Sequence, residues 1–307
     1  MCARRLVEAC LAILMLVGCG HAAQRPLGAA PSPFSYDASQ PLRLVDRGRA
    51  NRRYPIAVRD VSFSTPSGRV SAYLVVPPRR GRLPGVVYVH GSGGDRRELL
   101  VPATWLAARG AVALVLTAPS TNAATPSPNA SAPAELRRQR DIAVADVVAA
   151  RRAVDVLRSL SDVDPSRIGY VGWSAGARTG ALVAGAEPRI RALVLMSGGA
   201  LPVSAYAARA PASLRAAISR TLGEIDPLKW IARARPGTLL LEDGRKDGIV
   251  PRAALTGLAR AAPAGTPVRW YDAGHALNAT AYRDQLVWLT RKLSIHGPAV
   301  AGARTGP

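Results

Sequence analysis

Cysteine is nearly absent from this chain of 307 residues, and the three present, Cys2, Cys10 and Cys19, all fall within its first nineteen positions. A disulfide scaffold and a cysteine-rich metal site are thereby excluded for everything that follows. Histidine is scarce too: His21, His90, His275 and His296 are the whole supply. Spread so thinly they offer no ligand cluster, and neither a metal nor an organic cofactor is expected. Aromatic residues make up only 5%, and three of the 41 cationic residues are lysine, so arginine carries almost all of the formal charge of +21. A nucleic-acid binder gathers such charge on one element with aromatics interleaved; these arginines run the length of the chain, and no nucleic-acid partner is expected. Two readings of the charge stay open. Ala, Arg, Gly and Pro rise together in GC-rich coding sequence, and a basic surface attracts anionic envelope polymers or lipid headgroups. No internal repeat is visible.

The chain ends carry their own signals. Arg4 and Arg5 precede an apolar stretch, 10–17, too short for a mature membrane span but suited to a signal peptide over residues 1–18. Leu16-Val17-Gly18-Cys19 resembles the lipobox of bacterial lipoproteins, which implies cleavage before Cys19, its lipidation, and a membrane-anchored protein of the cell envelope. An ordinary secreted or periplasmic protein is the alternative. Residues 19–53 mix Pro, Ala, Gly, Ser and Arg without periodicity and are expected to be a flexible tether; 297–307 are expected to be a disordered tail. The folded domain is expected over residues 54–296, large enough for a substantial core.

Within that domain, runs rich in β-branched residues at 58–64, 70–76, 85–89, 112–116, 168–171, 193–196, 238–241 and 268–271 predict eight strands. Helical composition at 98–109, 135–161, 175–186, 252–261 and 281–293 alternates with them from the third strand onward. Thr65-Pro-Ser-Gly68 has hairpin chemistry and joins the first two runs. The order predicts an α/β protein: a mainly parallel eight-stranded sheet, an N-terminal antiparallel hairpin, helices on both faces, and a small cap insertion. Ligands gather at the carboxyl ends of such strands, so the loops there are where chemistry is to be sought.

Four of those loops are informative. Gly172-Trp-Ser174-Ala-Gly176 presents one serine between glycines, between a strand and a helix. The turn of a nucleophile elbow is so tight that flanking side chains would collide, and glycine removes the collision. His90-Gly-Ser-Gly-Gly-Asp95 follows the third run, and its small residues let amides approach a substrate oxygen; the Ser92 and Ala175 N–H groups are the expected oxyanion pair. Glu242-Asp-Gly-Arg-Lys-Asp247 offers three carboxylates. Asp247 lies deepest in its loop and has most freedom to reach a histidine on the next one, with Asp243 second. His275 follows the last strand and is the base by elimination, because His21 falls in the tether, His296 near the tail and His90 in the oxyanion segment.

Together these motifs, and the residues 164–176 around Ser174, resemble the α/β-hydrolase superfamily, in detail its dienelactone-hydrolase-like and acyl-esterase branch, over about residues 54–296. The resemblance implies an α/β-hydrolase fold and a Ser174–Asp247–His275 triad acting without cofactor. Ser174 stands where dienelactone hydrolases proper carry a cysteine, which favours simple esters over lactones. Two insertions, 119–133 and 201–225, lie over the expected site; neither is strongly apolar, which argues against a long-chain lipase lid. The second is expected to form short cap helices around 212–222, and Trp173 and Trp230 are candidates to line an acyl pocket. Short-chain or polysaccharide-linked acyl esters are the expected substrates. An exopeptidase-like amide hydrolase and a non-catalytic envelope lipoprotein that uses the fold for binding are the alternatives.

Overall fold

Continuous apolar strands that bury both faces set the centre of the molecule. The computed structural model describes residues 32–297 apart from 52–54, 79–80, 126 and 128. Strand β5 (Val112–Leu116) reads Val-Ala-Leu-Val-Leu and is buried at every position, as a strand covered on both sides must be. Around it lie β1 (Val45–Asn51), β2 (Ala57–Thr65), β3 (Gly68–Val76), β4 (Leu83–Val89), β6 (Val163–Trp173), β7 (Ile190–Met196), β8 (Leu239–Gly244) and β9 (Val268–Tyr271). They form one mixed sheet in the order β1-β2-β3-β5-β4-β6-β7-β8-β9. The first four in that order pair antiparallel and the rest parallel. The expected hairpin is present: Thr65 faces Gly68 in register, Gly68 has φ +124°, and the Thr65 hydroxyl donates to the Gly68 carbonyl at 2.8 Å.

Helices α1 (Leu100–Ala108), α2 (Ala132–Ser159), α3 (Ala175–Ala186), α4 (Val203–Arg209), α5 (Ala212–Gly223), α6 (Pro227–Ile231), α7 (Arg252–Ala261) and α8 (Ala279–Lys292) cover both faces. Leu157, Leu182, Trp230 and Leu258 close the core on the α2, α3, α6 and α7 side, and Leu106, Trp288 and Leu289 on the α1 and α8 side. None of them is both long and apolar enough to cross a membrane. The second insertion forms α4 and α5, which share a small apolar cluster of Leu136, Ala207 and Ile218. The first opens with a 3₁₀ turn, Pro119–Asn122, and its last residues already belong to α2, whose first turn is capped by the Ser131 hydroxyl.

The sheet has nine strands rather than eight, because the expected tether is in part folded. Val45–Asn51 pairs with β2 as an edge strand. Its sequence, Val-Asp-Arg-Gly-Arg-Ala-Asn, is polar on both faces and gives no alternation to read; its pairing comes from the exposed edge of β2. Before it, Phe34 is fully buried against Trp230, with ring centroids 4.8 Å apart, and the Tyr36 hydroxyl donates to Asp155 at 2.8 Å. Arg151 donates to the Phe34 carbonyl at 2.6 Å and Arg152 to the Gln40 carbonyl at 2.8 Å. Folded structure therefore extends ahead of residue 54, to Phe34 at least. The signal peptide, Cys19 and the tail beyond 297 lie outside the described residues.

Candidate active site

The sheet order places a switch point where it is useful. From β4 the chain moves one way to β5 and then back past β4 to β6, so the loops after β4 and β6 diverge and leave a crevice at the carboxyl ends. Those loops carry Ser92 and Ser174. Ser174 sits at φ 54° and ψ −111°, the strained conformation of a nucleophile elbow, held by its amide bonding to the Met196 carbonyl at 2.8 Å. A Cβ on Gly172 would stand 2.3 Å from the Gly176 carbonyl oxygen, and one on Gly176 only 2.1 Å from that of Val89. Both glycines are required by backbone approaching backbone.

His275 bridges serine and acid. Its Nε2 is 2.9 Å from the Ser174 Oγ and its Nδ1 is 2.8 Å from the Asp247 Oδ2. The other oxygen of Asp247 accepts the amides of Ile249 and Val250 at 2.8 and 2.9 Å. Burial pushes the Asp247 carboxyl upward, but the bonds from His275 and the two amides outweigh it and hold it below the usual carboxylate value. Asp247 reaches His275 because two loops are laced together. The amides of Arg245 and Lys246 donate to the carbonyls of Tyr271 and Ala273, and Gly244 lets them touch: a Cβ there would meet the Gly274 oxygen at 2.4 Å. Asp243 is still on β8, opposite Trp270 and buried, its carboxyl pushed up to about 7 by burial and then by the charge of Asp247.

Ser92 and Ala175 line one cavity of about 500 Å³ beside Ser174, with Arg178 and Asp146 as its ionisable side chains and Leu182, Leu222 and Ile225 among its apolar ones. The loop bearing Ser92 is fixed by His90, whose buried Nε2 accepts the Ala118 amide at 2.9 Å and whose Nδ1 lies 2.6 Å from the Gly91 carbonyl. One nitrogen accepting and the other donating fixes the neutral tautomer. The Gly91 amide donates to Glu98 at 2.8 Å, and the Gly176 amide to the His90 carbonyl at 3.0 Å, tying the Ser92 loop to the turn at Ser174.

Sequence reasoning missed the residues that hold the His275 loop. The His275 carbonyl accepts two bonds, from Trp173 Nε1 at 2.9 Å and from the Ser197 hydroxyl at 2.8 Å. Trp173 thus braces the histidine loop, its ring 5.1 Å from that of His275, rather than standing free in an acyl pocket. Trp230 lies in the core against Phe34 and bonds the Glu224 carbonyl, away from the site. Ser197 gave no local signal except its place after a strand; its φ of 51° is visible only in the fold. Among the described residues no group of three or more His, Cys, Asp or Glu side chains is arranged to hold a metal ion.

Comparisons with known proteins agree on the family. The sequence model of the dienelactone hydrolase family matches residues 70–287. An acetyl xylan esterase from Paenibacillus sp. R4 superposes with a TM-score of 0.68 at 20% identity, over 82% of this chain and 90% of its own. Acetyl xylan esterase 1 from Thermoanaerobacterium sp. JW/SL YS485 gives 0.67 at 16% identity, over 83% and 91%. A puromycin-hydrolysing peptidase of Mycobacterium tuberculosis gives 0.61 at 21%, over 81% of this chain and 41% of that one. At such identities these likenesses establish the fold. No curated protein sequence matches the chain.

Proposed function

The chain belongs to the dienelactone hydrolase family, and from that premise we propose that it is a serine hydrolase that cleaves short-chain carboxylic esters through an acyl-enzyme intermediate. The observation that carries this reading is the hydrogen-bonded line Ser174–His275–Asp247 at the carboxyl ends of the strands. In it the Ser174 Oγ attacks the acyl carbonyl while the His275 Nε2 takes its proton, and Asp247 fixes the imidazole tautomer and stabilises the imidazolium that forms. The amides of Ser92 and Ala175 receive the oxyanion. His275 then returns its proton to the leaving alcohol, and water, activated by the same imidazole, releases the acid. A serine nucleophile and a cavity of about 500 Å³ suit a small acyl group. The fold shared with two acetyl xylan esterases supports acetyl or similar groups on a polysaccharide as the substrate class. The lipobox-like residues 16–19 support an anchored enzyme of the cell envelope.

A fluorophosphonate probe tests the mechanism. It labels the wild-type protein, and Ser174→Ala, which keeps the fold because the elbow retains its glycines, is not labelled and does not hydrolyse p-nitrophenyl acetate. Undiminished hydrolysis by that variant would overturn the assignment. The likeness to the puromycin-hydrolysing peptidase favours one second reading, amide cleavage. Faster turnover of aminoacyl p-nitroanilides than of acetyl and butyryl esters would establish it.

A further inference from the structure

Two helices each turn one stripe of side chains toward the cavity beside Ser174. Gln139, Ile142, Ala143 and Asp146 of α2 recur at intervals of three and four residues and so share a face. Ala175, Arg178, Thr179 and Leu182 of α3 repeat the same spacing. From the side of α5 and α6 the cavity is closed by Leu222, Ile225 and Pro227, all apolar. Its volume of about 500 Å³ is that of a small-molecule site and leaves room beyond a single methyl group. An apolar wall facing a few placed polar groups is the make-up of a pocket that selects its ligand.

The chemistry decides which half of an ester enters it. His275 must return its proton to the leaving oxygen, so the alcohol half lies on the His275 side of Ser174. Among the described residues, the cavity wall holds Ser92 and Ala175 but no residue of the loops that carry His275 and Asp247. The part of the substrate that extends past the two oxyanion amides and away from the imidazole is therefore the acyl half.

Asp146 is a carboxylate in this wall that the fold leaves half used. Its Oδ1 accepts the Ser120 amide at 2.9 Å, and it forms no ion pair among the described residues. Burial pushes its carboxyl above the usual value, against the hydrogen bonds from Ser120. It stands near the turn at Ser174: Tyr170, whose hydroxyl donates to the Gly176 carbonyl at 2.6 Å, is raised first by burial and then by the charge of Asp146. A partly dehydrated acceptor costs free energy until a donor meets it. Arg178, the cation of the lining, is exposed, and neither its guanidinium nor the Thr179 hydroxyl has a side-chain partner among the described residues. One carboxylate and one guanidinium leave the lining without net charge, which matches a neutral donor rather than an ammonium or a second carboxylate.

We propose that this cavity is the acyl subsite and that Asp146 selects short acyl groups bearing a neutral hydroxyl, so that esters of hydroxy acids are preferred and acetyl esters are turned over more slowly. The assignment rests on the serine esterase reading, and a binding measurement separates the two. Kinetics are compared on ethyl butyrate, ethyl 2-hydroxybutyrate and ethyl 3-hydroxybutyrate, which share a leaving group. At least one hydroxy ester has the higher kcat/KM, and Asp146→Leu lowers its ratio to butyrate by about tenfold or more. Asp146→Asn still offers an acceptor to the Ser120 amide and a partner to the hydroxyl; it keeps an intermediate ratio, which sets the loss apart from a folding defect. Moving the hydroxyl to the alcohol half, in 2-hydroxyethyl butyrate, brings no gain that depends on Asp146. Such a gain there, or a larger one with ethyl 3-aminobutyrate, would overturn the proposal, as would one ratio shared by all three proteins. NMR titration of Ser174→Ala reads binding without turnover: the preferred hydroxy ester binds more tightly than butyrate, and adding Asp146→Leu removes the difference. Equal binding would overturn the subsite. Selective binding by Ser174→Ala with no hydrolysis by the wild-type protein would instead overturn the esterase reading and leave the subsite standing.

Discussion

Asp243 and Asp247 stand four positions apart, and only one of them reaches the histidine. Position along the loop favours Asp247, and the fold supplies the reason: the amides of Arg245 and Lys246 zip onto the β9 loop and carry Asp247 to within 2.8 Å of His275. Asp243 remains in the sheet, buried, and its carboxyl is pushed up to about 7. Asp247→Asn is therefore expected to cut kcat by about 10³–10⁴, because an amide stabilises neither the correct imidazole tautomer nor the imidazolium. Asp243→Asn changes kcat by only a few-fold at neutral pH. Steady-state kinetics on p-nitrophenyl acetate with both variants checks the assignment, and the reverse order of effects would move the acid role to Asp243. Ser174, His275 and both oxyanion candidates could be named from their own loops. Ser197 and Trp173 could not be given their bracing role, because the atom they hold, the His275 carbonyl, lies 102 residues away in the chain for Trp173 and 78 for Ser197.

At the scale of elements, the strand–elbow–helix unit tolerates no bulk. Gly176 on α3 faces the end of β4 so closely that a Cβ would stand 2.1 Å from the Val89 oxygen and 2.7 Å from the His90 oxygen. These are backbone atoms and cannot rotate away. Gly176→Ala is expected to cost about 3 kcal/mol or more of stability, and to displace the His90 loop, so that activity falls along with the melting temperature. Gly223→Ala, at the end of α5 with nothing closer than the Lys229 Nζ at 3.7 Å, is expected to change the melting temperature little or raise it slightly. Thermal denaturation of the two variants compares them directly. Strands β2 to β9 were legible because each is a run of β-branched or apolar residues, and α3 and α7 matched in both bounds. β1 was not, since an edge strand with polar residues on both faces has no period to recognise; its partner's open edge, not its own sequence, makes it a strand.

For the molecule as a whole, a buried acid couples stability to pH. Glu242 is fully buried at the end of β8, its Oε1 accepting the Tyr271 hydroxyl at 2.9 Å and its Oε2 without a partner. Burial raises its pKa to about 8. A carboxyl raised in the folded state binds its proton more tightly there than in the unfolded chain, so stability is greatest below the unfolded value and falls as pH rises toward the folded one. The wild-type protein should lose on the order of a few kcal/mol between about pH 4.5 and 8 from this group. Glu242→Gln should flatten that decline, and urea unfolding at pH 5 and pH 8 measures it; parallel slopes in the two proteins would refute the origin in Glu242. The sequence by itself determined the reaction chemistry on offer and the order in which the chain presents it. Strand–loop–helix patterns are local, and a glycine, a serine and a histidine at strand ends need no distant partner to be recognised. Only the tertiary structure decided which carboxylate meets the histidine, which side chains brace its carbonyl, and that the segment from Phe34 onward folds onto the domain. Those are relations between residues far apart in the chain, and packing alone brings them together.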